Sequence, residues 1–105
     1  MTNEFLNTEE QIVKMLRTVY DPEIPVNIYD LGLIYDIELL PDGSAKITMT
    51  LTAPNCPASD FIIEDVRIKT ESVPGITRAE VILTFEPAWN KDMMTEEAQL
   101  ELGLL

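Results

Sequence analysis

The sequence predicts an α+β fold: a two-layer α-β-β-α-β-α domain with a three-stranded sheet, two helices packed on one face, and a short C-terminal helix. Three observations carry this. "LIYDIELL" and "AKITMTLT" each alternate apolar and polar residues and flank the turn signal "PDGS". "PGITRAEVILTFEP" holds a third alternating run. Two stretches with apolar residues three and four apart lie before the first strand and between the second and third.

The elements follow in order. "NTEEQIVKMLRTVYDPEIP" opens the first helix, with Thr8 and Gln11 at capping-box spacing. Ile12, Leu16, Val19 and Tyr20 share one face, with Val13 beside them. Asp21-Pro22 is expected to end it, because a residue before proline is pushed out of the helical region. Asp21 to Leu33 holds two prolines and a glycine and shows no clean period, so it reads as a long loop. Ile24, Val26, Ile28, Leu31 and Leu33 argue that it packs. Long loops in small domains are usually functional or disordered.

In the hairpin, Leu33, Tyr35, Ile37 and Leu39 share a face opposite Asp36 and Glu38. Ile47, Met49 and Leu51 lie opposite Lys46, Thr48, Thr50 and Thr52. A second helix fits from about Pro57 to Ser72, with Ile62, Val66, Lys69 and Val73 in one stripe and Phe61, Ile63 and Ile68 flanking it. Proline suits the first helical turn, where its missing N–H costs nothing. Ala79, Val81, Leu83 and Phe85 are the inward face of the third strand. "TEEAQLELG" is the terminal helix, with Thr95 as N-cap and Gly103 just past its end. The threonine-rich face of the sheet is left for solvent, the terminal helix or another subunit.

Composition narrows the function. The 105 residues suit one domain, 1–105, with a core over about 8–86 and a C-terminal segment over 87–105. Seven basic residues against nineteen acidic ones give a net charge of −12. Phosphate backbones and anionic membranes are poor partners for such a surface, so neither nucleic acid nor membrane binding is expected. No apolar run approaches the roughly 20 residues that span a bilayer. The acidic, polar start "MTNEFLNTEEQ" resembles neither a signal nor a transit peptide. Cys56 is the only cysteine, so no internal disulfide forms, and a cytoplasmic location is the expectation. With no histidine, His-based catalysis and His-ligated zinc are excluded.

Two constellations can carry chemistry. The first is Cys56 in "LTAPNCPAS", between a strand and a helix and flanked by Pro54 and Pro57. At a helix start, free N–H groups and the positive end of the dipole favour the thiolate, the form that binds metal and attacks electrophiles. The alternative is a small buried hydrophobe. The second is Asp21-Pro22-Glu23, whose carboxylates could bind a metal or act as an acid–base pair. The alternative is that Asp21 caps an end and Glu23 is solvated. Asp30, Asp36 and Glu38 read as structural or solvated acids, and Trp89 and Met93-Met94 as packing residues. There is no Gly-rich phosphate loop, CxxC or HExxH.

"YDPEIPVNIYDLGLIYDI", the spacing onward to "MTLTAPNCP", and "WNKDMMTEEAQLELGL" together resemble the PaaD-like and SufT-like iron–sulfur assembly factors, relatives of the eukaryotic cytosolic targeting factors. The resemblance runs from about Ile12 to Leu104. It implies one site lined by Asp21, Glu23, Thr52 and Cys56, with Cys56, Asp21 and Glu23 as metal ligands. It implies an assembly factor rather than an enzyme, holding iron or an iron–sulfur cluster transiently. Its partners would be iron–sulfur assembly proteins and apo-recipients, and a homodimer would bring two thiols together. Two other readings stand beside it: an accessory protein of a phenylacetyl-CoA-type oxygenase, and an enzyme with Cys56 as nucleophile and a non-histidine base.

Overall fold

The structure, a computed structural model, describes residues 4–21, 24–52 and 59–103. Its elements follow the expected order: α1 (Glu4–Leu16), β1 (Ile34–Leu39), β2 (Ser44–Met49), α2 (Ser59–Glu71), β3 (Arg78–Leu83), a 3₁₀ turn (Lys91–Met93) and α3 (Glu96–Glu101). The sheet order is β1-β2-β3. β2 is central, antiparallel to β1 and parallel to β3. A parallel neighbour requires a crossover, and α2 supplies it.

Burial of one apolar face per element explains the assembly. Ile12 and Leu16 of α1, Ile62 and Val66 of α2, and Ile47 and Met49 of β2 are fully buried in one cluster. Apolar burial is the dominant favourable term in such a small domain. The loop from Asp21 to Leu33 belongs to the same core. Val26, Ile28, Leu31 and Leu33 are buried, and Ile24 packs against them half-buried. The expectation that this loop packs is met.

Several details differ from the sequence-based expectation. α1 begins before Thr8, which lies inside the helix rather than at its cap. A two-residue capping signature recurs by chance within an acidic helix. α1 also ends earlier than Asp21-Pro22. The Thr18 hydroxyl donates to the Met15 carbonyl at 2.6 Å, and the next amides bond three residues back instead of four. Val19 stays buried beyond the helix end, but Tyr20 is exposed and bridges to Asn27. The buried stripe is Ile62, Val66 and Thr70 on α2, continued by Val73 just past its end. Lys69 lies to the side, paired with Asp65 at 3.4 Å.

The strands show the same kind of adjustment. A bulge between Ile34 and Asp36 breaks the β1 register. Such a bulge re-aims side chains, and the Tyr35 hydroxyl donates to the Pro87 carbonyl at 2.6 Å instead of joining the inward face. Leu83, expected inside, is exposed at the end of β3, an edge strand with no further strand beyond it among the described residues. Thr50, expected on the open face, is fully buried. Its N–H donates to Leu33 at 2.8 Å, while the Thr84 N–H donates to Met49 beside it at 2.9 Å. Chain therefore closes over both sides of the end of β2.

The C-terminal segment keeps its expected caps. The Thr95 hydroxyl accepts from the Ala98 N–H at 3.2 Å, and Gly103 follows the C-cap Leu102. Met94 and Ala98 are buried in the core cluster.

Candidate functional site

Among the described residues, the candidate site draws on two segments: the loop from Asp21 to Leu33 and the end of β2. Each segment is fixed by its backbone. After α1 the chain turns back on itself, with the Ile28 N–H donating to the Val19 carbonyl at 2.8 Å and Tyr20 pairing with Asn27. Asp21 stands one residue inside that bridge and is only 4% exposed. A buried carboxylate is costly unless its surroundings stabilise it, so this position is a constrained one. Its carbonyl accepts from the Ile24 N–H at 3.3 Å.

The loop then makes a second turn at Asn27–Asp30. The Asn27 amide donates to Asp30 Oδ2 at 3.0 Å, and the Asp30 N–H donates to Asn27 Oδ1 at 2.8 Å. Short polar side chains stabilise turns by bonding backbone a few residues away. Arg17 reaches Asp30 Oδ1 at 3.6 Å and lies over the Tyr29 ring, 5.1 Å from its centroid. Asp30 is thus structural, as its sequence context suggests.

The C-terminal segment ties down the far end of the loop. The Trp89 indole N–H donates to the Leu31 carbonyl at 2.6 Å, and the Thr95 N–H donates to the Asp30 carbonyl at 2.9 Å. Gly32 has φ +82°, and a Cβ there would collide with the Met93 carbonyl. Trp89 is therefore the packing residue expected, with a hydrogen bond in addition. An open cleft of about 650 Å³ separates the loop, at Tyr20, Asn27 and Asp30, from α3 at Glu97 and Leu100.

At the loop's end, the bond from the Thr50 N–H to the Leu33 carbonyl joins it to the end of β2. Leu51 is buried and Thr52 is half-buried. Of the four residues expected to line the site, Asp21 and Thr52 fall among the described residues, and the segments carrying them meet at Leu33 and Thr50. Glu23 and Cys56, and with Cys56 the expected helix-start geometry, lie outside the described residues. Among the described residues, no three Asp, Glu, Cys or His side chains gather as a metal site. Sequence reasoning missed Asn27 and the donor role of Trp89. The Asn27-x-x-Asp30 spacing was a local signal for the turn. Nothing local signalled a contact between residues 58 positions apart.

On α2, hydrogen bonding from Arg67 holds the Glu64 carboxyl below the usual glutamate range and raises the Arg67 guanidinium further. No helix among the described residues is long and apolar enough to cross a membrane.

Comparison with known proteins bears on the same segments. A family model described as "Iron-sulfur cluster assembly protein" matches residues 9–82. A Porphyromonas gingivalis protein named "Fe-S protein maturation auxiliary factor" is 71% identical over 105 residues, covering the whole of both chains. The "Fe-S protein maturation auxiliary factor YitW" of Bacillus subtilis is 38% identical over 96 residues, covering 91% of this chain and 94% of the relative. A Bacillus anthracis crystal structure, titled as a domain of unknown function, superposes with a TM-score of 0.87 at 36% identity, covering 98% of this chain and 100% of that one. The α+β arrangement is thus shared with a solved structure. The chain belongs to the iron–sulfur cluster assembly protein family, among its PaaD-like and SufT-like members.

Proposed function

We propose that this chain, acting as one unit over residues 1–105, matures iron–sulfur proteins without itself being an enzyme. It takes iron or a cluster as transient cargo, or docks carrier and recipient, through the Cys56 thiolate. Asp21, Glu23 and Thr52 line the same site. Its partners are iron–sulfur assembly proteins and apo-recipients. The names of relatives that cover nearly the whole chain support the role. The observation that carries the site is the 2.8 Å bond from the Thr50 N–H to the Leu33 carbonyl. It joins the loop that starts at Asp21 to the strand end that leads through Thr52 toward Cys56.

The donor set fits cargo better than a resident group. Clusters are held mostly by cysteine thiolates, usually four. One chain offers one thiolate, and the carboxylates of Asp21 and Glu23 are hard donors that suit iron ions more than clusters. Two copies, or this chain and a partner, would share a cluster, and a small thiol would complete it. Closed two-fold pairs are the commonest oligomers, so a homodimer is the simplest arrangement. Cargo held this way is labile and easily passed on.

Anaerobic purification followed by iron and sulfide analysis, on wild type and Cys56→Ala, tests the proposal. Iron that is present in wild type, lost in air and absent from Cys56→Ala is the expected result. Iron retained in air by Cys56→Ala would overturn the ligand assignment.

A further inference from the structure

We infer that Asn27 and Asp30 are positioning residues: together with the C-terminal segment, they hold the Asp21 carboxylate in place for the cargo site. The inference rests on the reading of Asp21 as part of that site.

A continuous chain of contacts runs from Trp89 and Thr95 in the C-terminal segment to Asp21. The Thr95 N–H and the Trp89 indole N–H fix the Asp30 and Leu31 carbonyls at 2.9 and 2.6 Å. Asp30 exchanges two hydrogen bonds with Asn27, one through its carboxylate and one through its backbone N–H. Asn27 pairs with Tyr20 across an antiparallel bridge, and Tyr20 is bonded directly to Asp21. The Val19–Ile28 bond closes the same neck one step further out. The carboxylate of Asp30 also meets Arg17, so its charge is engaged on both sides.

The side-chain pair of Asn27 and Asp30 adds no apolar side chain to the core cluster. The sheet is hydrogen-bonded through β2, and the helices meet it through Ile12, Leu16, Ile62 and Val66. The Asn27–Asp30 pair is local to the loop. What the pair determines is where the neck of the loop stands, and the buried Asp21 is the side chain at that neck. Groups that orient a ligand from the second layer are worth about 10–100-fold in affinity or activity.

The test compares variants in a strain lacking the protein, reading the activity of client iron–sulfur enzymes. Amide exchange over residues 19–33 and the thermal midpoint are read on the purified chains. Asn27→Ala should lower client maturation about tenfold, as Asp21→Asn does, and the double variant should fall no further than either. The exchanged pair, Asn27→Asp with Asp30→Asn, keeps one amide opposite one carboxylate and should recover at least half of the loss. Val73→Ala, a core control outside the loop, should lower the midpoint while maturation and loop exchange stay as in wild type. Should Asn27→Ala fail to fold, Asn27→Ser, which loses the amide donor to Asp30, takes its place with the same outcomes. Full maturation by the Asn27 variant beside an impaired Asp21→Asn would overturn the positioning role and leave the cargo site standing. Full maturation by Asp21→Asn, or by Cys56→Ala, would remove the site reading and the inference with it.

Discussion

The Trp89 indole N–H donates to the Leu31 carbonyl at 2.6 Å, joining residues 58 positions apart. The bond crosses from the C-terminal segment to the loop that begins at Asp21, and the indole packs half-buried against the core. Trp89→Phe keeps most of the ring and removes the donor. The stability loss should be about 1–2 kcal/mol, the scale of a lost hydrogen bond that leaves its acceptor unmatched. Urea unfolding would measure it. An unchanged midpoint would mean that the contact contributes nothing in solution.

Gly32 and Gly75 make a matched pair. Both have positive φ, +82° and +93°, but Met93 backbone crowds Gly32 while nothing lies near Gly75. Alanine at position 75 should cost about 1 kcal/mol, the left-handed strain alone. Alanine at position 32 adds a backbone collision and should cost more than about 3 kcal/mol, prising the C-terminal segment off the loop. Equal losses in thermal unfolding would contradict the close packing at Gly32.

Thr70 is fully buried on α2, and its hydroxyl is the one buried side-chain polar group among the described residues without a partner. Valine has nearly the same shape and no polar atom to leave unsatisfied. Thr70→Val should stabilise the protein by about 1 kcal/mol. A loss of stability in denaturant unfolding would show that the hydroxyl is satisfied in solution.

The fold class was legible because alternation and helical spacing depend only on which face is buried. The β2 residues Ile47 and Met49 and the α2 residues Ile62 and Val66 met that rule directly. Strand order was not legible, since alternation says nothing about neighbours, nor was the exposure of Leu83 at the end of an edge strand. Helical spacing admits either position 69 or position 70 between Val66 and Val73, so Thr70 was passed over for Lys69. Thr50 and Tyr35 depend on where the chain leaves β2 and where β1 bulges, which are tertiary events. Asp21 stood out through its motif. Its burial, and the support it receives through Asn27, depend on a loop closed by residues far along the chain.

Asp42 gives a pH prediction. The Ser44 hydroxyl and N–H donate to Asp42 Oδ1 at 2.6 and 2.9 Å, and they hold its carboxyl below the ordinary aspartate range. A lowered folded-state value means that the unfolded chain binds the proton first as pH falls. The stabilisation is therefore complete above about pH 5 and is lost as pH drops below about 4, through the folded-state value. Asp42→Asn removes this titration. Its stability deficit against wild type should shrink between pH 6 and pH 2.5 in a denaturant series. A constant deficit would show that the carboxylate gains nothing from Ser44.

The central claim is that the single thiol carries the function while the fold stands without it. Cys56→Ser keeps the size and a hydrogen-bonding group, so stability should change by no more than about 1 kcal/mol, the scale of an altered cap. The most direct measurement is the activity of client iron–sulfur enzymes in a strain lacking this protein, complemented with wild type or with Cys56→Ser at equal protein levels. Restoration by wild type and failure by Cys56→Ser is the predicted result. Full restoration by Cys56→Ser would contradict the claim.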